Sequence, residues 1–302
     1  MISRTEKNKK THRQIQTIES IEKSRKILSV TVKVILILIA VLGISYFLLR
    51  YVGNYGIIVK EKVVYNEKIP DSFNGLKIIH FTDLHYGTTV KEKQISILLE
   101  KINNIQPDLI IFTGDLIDEH YKLNNEEKEL IIKFLNSLDS KLGKYSAKGD
   151  EDAKNFDNIM KETDFIVLDN NNDLVYNESY NPILLVGIGS SISKNMDISK
   201  AFNGSENNNN EMFTISIMHE PDNIDEMLKE YSVDLALAGH SLNGQIKLPF
   251  IRFTSMLGAN KYYEEEYNVG NTKLLISGGL GTVNLPFRLF NHPSFNFIRL
   301  KK

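Results

Sequence analysis

The sequence contains no cysteine and has little excess of either charge. Without cysteine, the chain cannot form disulfide bonds, bind zinc through thiolates, use a thiol nucleophile or carry a lipid on an N-terminal cysteine. Any attachment to a membrane must therefore come from the polypeptide itself. The formal net charge of −2 offers no basic face, so we expect no nucleic-acid partner. The 302 residues, 42% of them hydrophobic, suffice for one large domain with an appendage.

The charge is concentrated at the N-terminus and is followed by a long apolar run. Residues 1–26 hold eight basic side chains and three glutamates, and residues 27–49 are apolar except for Ser29, Thr31, Lys33 and Ser45. About 20 apolar residues are enough to cross a bilayer as a helix. We therefore predict a basic cytoplasmic tail over residues 1–26, a transmembrane helix over residues 27–49 and one domain over residues 50–302.

A cleavable signal peptide is the alternative interpretation of this apolar run. Its apolar core would be shorter, and a cleavage site of small residues would follow it. The large residues of the segment YFLLRY occupy positions 46–51 instead, which favours an uncleaved, single-pass anchor in the cell membrane. The positive-inside rule then places the N-terminus in the cytoplasm and the domain outside.

After residue 56, short β-rich runs alternate with amphipathic stretches. Strands are predicted at residues 57–65, 76–82 and 108–113, and helices at residues 91–105 and 126–138, where apolar residues recur every three or four positions. Weaker strand and helix signals continue toward the C-terminus. The alternation predicts an α/β domain with layered sheets.

Residues that can bind metals follow five of the predicted strands. They are Asp83 with His85, Asp115, Asp150, His219 and His240. Strand ends are where open α/β sheets gather ligands, because several loops converge there. A single Asp-x-His is a weak signal, whereas five such positions together indicate a site. Mixed carboxylates and imidazoles suit manganese, iron or zinc.

Five motifs in this order resemble those of the calcineurin-like metallophosphoesterases, most closely a membrane-anchored bacterial subgroup. They are TDLHYG, FTGDLID, GDED, MHEP and AGHSLNGQ. The resemblance implies a four-layer α/β/β/α sandwich with two divalent metal ions at its edge. It further implies that Asp83 and His85 hold the first ion, that Asp115 bridges both, and that His219 and His240 hold the second.

The implied activity is hydrolysis of a phosphomonoester or phosphodiester by a metal-activated water. Two ions about 3.5–4 Å apart would clamp the phosphoryl oxygens during in-line attack. Since the anchor holds the domain near the bilayer, a lipid headgroup or another cell-envelope phosphate is the expected kind of substrate.

The third motif departs from the family pattern. Where the family has Gly-Asn-His-Asp/Glu, this chain has Gly149, Asp150, Glu151 and Asp152. Asp150 replaces an amide ligand with a carboxylate, which a metal tolerates. Glu151 replaces the histidine that contacts the phosphate and can protonate the leaving group. We predict Asp150 and Glu151 as the catalytic positions of this altered loop.

The fifth motif also departs from the family pattern. Leu242 stands where the family's Gly-His-x-His places a second histidine. The first ion then keeps Asp83, His85 and Asp115, and Asn243 is a candidate for an amide ligand. We expect this site to be weak or empty, whereas Asp115, Asp150, His219 and His240 form a full second set. Two hypotheses follow: a working phosphoesterase with an altered site, or a weakened or inactive relative that acts as a binding module at the membrane surface.

Overall fold

The computed structural model describes residues 4–152, 154–205, 211–248, 251–252 and 256–302. The chain divides into two compact units, Met1–Val52 and Gly53–Lys302. In the first unit, helix α1 covers Arg4–Phe47 and a π-helical turn covers Leu48–Val52. The stretch Ile15–Val52 is long and apolar enough to cross a membrane, and none of its apolar window is buried inside the structure. The predicted membrane segment therefore lies in a helix that also extends through much of the basic tail.

The second unit alternates strands and helices, as the sequence pattern predicts. Its described helices are α2 (Glu92–Ile105), α3 (Asn125–Asn136), α4 (Lys154–Met160), α5 (Ile198–Ala201) and α6 (Ile224–Met227). Its described strands are β1 (Ile58–Tyr65), β2 (Lys77–Phe81), β3 (Leu109–Phe112), β4 (Lys144–Ser146), β5 (Phe165–Val167), β6 (Asn171–Val175), β7 (Ile183–Gly187), β8 (Thr214–Ile217), β9 (Leu235–Ala238), β10 (Lys247–Leu248), β11 (Ile251–Arg252), β12 (Glu266–Val269), β13 (Thr272–Ile276) and β14 (Ser294–Lys301).

Two mixed sheets of six strands each form among the described residues. The first has the order β1-β14-β2-β3-β4-β5, and the second has the order β12-β13-β9-β8-β7-β6. The central strands β2, β3 and β4 run parallel in one sheet, and β7, β8, β9 and β13 run parallel in the other. Strands β3, β7 and β9 are nearly continuous apolar runs because both faces of each strand are covered.

Alternate residues of these strands face different hydrophobic cores. In β3, Ile110 and Phe112 pack with helices α2, α3 and α4, whereas Leu109 and Ile111 pack against the second sheet. The far face of the second sheet, with Val186 and Ala236, packs against α5 and α6. The layers are therefore helix, sheet, sheet and helix, which confirms the predicted α/β class and four-layer architecture.

Candidate metal centre

The six predicted ligands lie at one edge of the two sheets. Each follows the carboxyl end of a parallel strand: β2 is followed by Asp83 and His85, β3 by Asp115, β4 by Asp150, β8 by His219 and β9 by His240. All are buried except Asp150, which is partly buried. Parallel strands in both sheets end at this edge, so residues up to 157 positions apart in sequence meet there.

The ligand atoms form two overlapping groups, in each of which they all lie within 4.8 Å of one another. One group contains Asp115, Asp150, His219 and His240, and the other contains Asp83, His85 and Asp115. Asp115 is common to both groups. The structure thus brings together all six of these predicted ligands, and it places one carboxylate where two ions could share it.

In the larger group, both histidines are held by backbone carbonyls. The Nε2 atom of His219 lies 3.0 Å from Asp115 Oδ2 and 3.2 Å from Asp150 Oδ1, while its Nδ1 lies 2.6 Å from the carbonyl oxygen of Thr113. His240 uses the opposite nitrogens: Nδ1 lies 3.1 Å from Asp150, and Nε2 lies 2.7 Å from the carbonyl oxygen of Leu257. Because a carbonyl only accepts, the other ring nitrogen can offer its lone pair to the cluster.

In the smaller group, the ring of His85 lies between carboxylates on both sides. Its Nε2 is 3.5 Å from Asp83 Oδ1 and 3.6 Å from Asp115 Oδ2. Its Nδ1 is 3.3 Å from Oε2 of Glu151, which also accepts the backbone N–H of Glu119 at 3.3 Å. Glu151 therefore contacts the ring nitrogen of His85 that is not directed at Asp83 and Asp115. Carboxylates support metal-binding histidines through the same kind of contact.

The charges in the cluster stabilise one another. Burial opposes the charged form of Asp83, but His85, His219 and His240 lower the pKa of Asp83 to about 2. Burial likewise opposes the charged form of His85, but Asp83 and Glu151 raise its pKa well above the ordinary value. A buried set of carboxylates of this density needs positive charge close by.

The donors fit divalent transition metals. Among the described residues, Asp83 Oδ1, Asp150 Oδ1 and Nε2 of His85 are buried without a hydrogen-bond partner. Buried polar atoms without partners are costly unless a ligand satisfies them. Three carboxylates and three imidazoles form a donor set that suits manganese, iron or zinc.

Asp152 supports the third loop rather than offering itself as a ligand. Its carboxylate accepts the backbone N–H groups of Asp115 at 2.7 Å, Gly149 at 2.9 Å and Leu116 at 2.9 Å. Burial and the charge of Asp115 raise the pKa of Asp152 to about 7. Gly149 must be glycine, because a Cβ atom there would lie 2.1 Å from Oδ1 of Asp115.

Leu242 occupies the position of the missing histidine. It is buried, has a left-handed backbone φ of 49°, and lies with Asp83 against Gly279. The neighbouring Asn243 is also buried and has no side-chain hydrogen bond among the described residues, but it packs against Gly278. The altered fifth motif thus contributes an apolar wall beside Asp83.

Sequence reasoning missed the role of Arg288. This side chain is fully buried and donates to the carbonyls of Gly278, Gly279, Gly281 and Asn291. In the same turn, the backbone N–H groups of Leu280 and Gly281 donate to the carbonyl oxygen of Asp83, at 3.1 and 2.7 Å. Arg288 therefore orders the turn that holds Asp83. The only signal in the sequence is an arginine close after a glycine-rich turn.

Two further histidines belong to neither ligand group. His80 is a packed core residue: its Nε2 lies 3.0 Å from Thr113 Oγ1, and burial lowers its pKa to about 3. His120 is exposed and lines a cleft of about 240 Å³ together with Glu119, Glu151 and Thr282. Because Glu151 lines this cleft, a substrate bound there could contact it.

Comparison with known proteins identifies relatives of this chain. The sequence model of the calcineurin-like phosphoesterases matches residues 76–244, which include all six candidate ligands. The metallophosphoesterase YkuE of Bacillus subtilis is 28% identical over 267 residues, which are 86% of this chain and 91% of that protein. The pyrophosphatase LpxG of Chlamydia muridarum, named for UDP-2,3-diacylglucosamine, is 25% identical over 241 residues, 63% of this chain and 71% of that protein.

Other relatives are longer than the matched region. A transmembrane protein with a metallophosphoesterase domain from Danio rerio is 26% identical over 252 residues, which are 78% of this chain but 55% of that protein. A metallophosphoesterase of Helicobacter pylori is likewise matched over 63% of its length. Among solved structures, the sulfate thiohydrolase SoxB of Thermus thermophilus gives a TM-score of 0.43 at 10% identity, covering 68% of this chain and 52% of that chain.

Proposed function

Because this chain belongs to the calcineurin-like phosphoesterase family, we propose that it is a metal-dependent phosphohydrolase that cleaves a phosphomonoester or phosphodiester. The ligands would be Asp83, His85, Asp115, Asp150, His219 and His240. The observation that carries this proposal is the sharing of Asp115 between two groups of ligand atoms. Such an arrangement is suited to two ions that act on one phosphoryl group.

Bound divalent ions would supply Lewis-acid stabilisation of the phosphoryl oxygens and would acidify the attacking water. The protein holds the ligands in place before substrate arrives. The carbonyls of Thr113 and Leu257 fix which ring nitrogens of His219 and His240 face the cluster. Asp152 and Gly149 set the position of Asp115. This pre-organisation reduces the reorganisation required during reaction.

The two positions predicted as catalytic take different places in the cluster. Asp150 lies among the ligand atoms, 3.1 Å from His240 and 3.2 Å from His219. Glu151 contacts His85, and both of its observed contacts use it as an acceptor. We therefore propose Asp150 as a ligand and Glu151 as the residue that positions His85, while a proton transfer by Glu151 stays a prediction.

Replacing Glu151 separates these two roles. Glu151→Ala should weaken metal binding at the smaller group by roughly 10–100-fold, as loss of such supporting carboxylates does elsewhere. Glu151→Gln keeps an acceptor for His85 and should retain most of that affinity. Titration of the purified protein with Mn²⁺ measures the difference. If Glu151→Gln abolishes turnover while metal affinity is unchanged, Glu151 also transfers a proton; if Glu151→Ala leaves metal affinity unchanged, the positioning role is wrong.

For the substrate, we propose a phosphoester carried by a membrane lipid or another component of the cell envelope. The helix Ile15–Val52 is long and apolar enough to serve as an anchor. Its basic N-terminal flank favours a cytoplasmic N-terminus and an extracytoplasmic domain. One relative is named as acting on UDP-2,3-diacylglucosamine, a diacylated pyrophosphate. An anchored enzyme meets substrates in its own membrane at high effective concentration.

The substrate proposal is tested on the full chain in nanodiscs with added Mn²⁺. A diacylated sugar pyrophosphate in the same nanodisc should be hydrolysed at least about ten-fold faster than a soluble nucleotide at equal bulk concentration. Released phosphate or nucleotide provides the readout. Equal hydrolysis of both compounds would contradict a lipid substrate, although it would leave the phosphohydrolase activity standing.

The second candidate function is a weakened or inactive relative that acts as a binding module at the membrane surface. The buried, apolar Leu242 beside Asp83 favours it, since this residue cannot serve as a ligand. The larger group keeps its full set of four ligands in either case. A protein that retains about one equivalent of metal but hydrolyses no phosphoester would support this function.

A further inference from the structure

A groove separate from the metal cleft lies where the domain begins. It has a volume of about 310 Å³ and is walled on one side by residues 54–57 and on the other by helix α2. Tyr55, Ile57 and Ile97 provide apolar walls, and Leu84 lies behind them. The volume is at the small end of the roughly 300–1,000 Å³ found for ligand pockets, so the groove admits a single chain rather than a whole two-chain lipid.

Two lysines line this groove. Lys93 and Lys101 belong to the α2 face that lines it, and neither has an ion pair among the residues that the structure describes. Glutamates of the same helix, Glu92 and Glu100, are not among the lining residues. An apolar groove with two free cations is complementary to a molecule with a hydrocarbon chain and an anionic head.

Each of the three neutral polar side chains of the groove makes a hydrogen bond within the protein. Asn54 donates to the carbonyl of Pro286 at 3.0 Å, Thr89 contacts Thr282 at 3.0 Å, and the Gln94 side chain accepts the N–H of Lys91 at 3.1 Å. A peptide in the groove would need partners for its own N–H and C=O groups. A hydrocarbon chain needs none, which suits a lining whose other residues are mainly apolar.

One wall of the groove follows the apolar helix directly in the sequence. The helix unit ends at Val52, and the first groove residue, Asn54, follows two positions later. If the helix is the membrane anchor proposed above, the domain that contains the groove is tethered to the membrane and meets its lipids at high effective concentration.

We propose that this groove binds one acyl chain of an anionic phospholipid, with Lys93 and Lys101 against the headgroup. The site is distinct from the metal cleft and requires no hydrolysis. It would hold the domain on anionic membranes through a second contact besides the helix. The floor residues Leu84 and Leu280 adjoin Asp83, so an occupied groove would also buttress the loop that carries the smaller ligand group.

Photocrosslinking of the full chain in nanodiscs tests this proposal. The nanodiscs contain phosphatidylcholine and about 10 mol% of a probe, either phosphatidylglycerol or phosphatidylcholine with a diazirine on its acyl chain. Crosslinked peptides are mapped by mass spectrometry, with a chelator present so that turnover plays no part. The phosphatidylglycerol probe should label residues 55–57 and 93–101 well above the surface of helix α3.

Charge variants provide the control. Each lysine near an anionic membrane raises the affinity for that membrane by a factor of about five. The double variant Lys93→Gln with Lys101→Gln should therefore lower labelling of the groove by the phosphatidylglycerol probe by at least about five-fold. The matched pair Lys133→Gln with Lys161→Gln removes two exposed lysines elsewhere and should leave it unchanged. Equal labelling by both probes, no effect of the groove lysines, or labelling no greater than that of α3 would each overturn the proposal, whatever the phosphohydrolase assay shows.

Discussion

Replacing Asp115 by asparagine should abolish metal-dependent hydrolysis, with a loss of at least about 10³-fold in kcat/KM. Asp115 is the carboxylate common to both ligand groups, and the variant removes its charge while keeping its size. Each ion that it would hold contributes several kcal/mol to stabilising the transition state. Turnover of bis-p-nitrophenyl phosphate with Mn²⁺, measured together with metal content, checks the prediction.

Asp139→Asn is the matched control for this variant. Asp139 is exposed and belongs to neither ligand group, so its replacement should change neither metal content nor turnover. The Asp115 variant should lose both together. If it kept wild-type turnover, a shared carboxylate could not be the centre of the site.

Replacing Leu242 by histidine should strengthen the smaller ligand group. The new imidazole would stand beside Asp83, where Leu242 now lies against Gly279. Histidine also tolerates the left-handed φ of 49° better than a leucine does. Loss of a residue that only supports a metal ligand typically lowers metal affinity by roughly 10–100-fold. We expect a new ligand to raise the Mn²⁺ affinity of this group by at least that factor, and turnover at limiting metal to rise with it.

Leu242→Ala tests whether a gain in metal affinity comes from the added imidazole or only from the loss of the leucine side chain. Alanine also removes the apolar wall, but it adds no donor, so metal affinity should stay at the wild-type level. Calorimetric titration with Mn²⁺ compares the three proteins. If the histidine variant binds no better than wild type, the weakness of the smaller group does not come from Leu242.

The strands and the ligands could be predicted because their signals are local. β3 is the apolar run LIIF and β2 is the mostly apolar run KIIHF, and a candidate ligand follows the end of each strand by two or three positions. The predicted helix at residues 91–105 begins one residue later in the structure, at Glu92. The edge strand β6, Asn171–Val175, gave no signal, because it is polar and only one of its five residues is buried.

The contacts that orient the ligands could not be predicted in the same way. The carbonyl of Leu257 holds His240 across 17 positions, and Glu151 reaches His85 across 66 positions. Neither contact follows from a periodic pattern or a strand end. Arg288 is similar, since its partners are backbone carbonyls that any residue type could provide. The roles of such residues can be recognised only from the distances in the folded structure.

The most direct test of a metal-dependent phosphohydrolase is metal content and turnover measured on the same purified full chain. Wild type and His240→Ala are assayed as isolated, after chelation and after addition of Mn²⁺. Wild type should hold at least one metal equivalent, lose turnover of bis-p-nitrophenyl phosphate on chelation and recover it with Mn²⁺, while His240→Ala holds less metal and stays silent. A wild type that binds no divalent metal, or that turns over equally after chelation, would contradict the account.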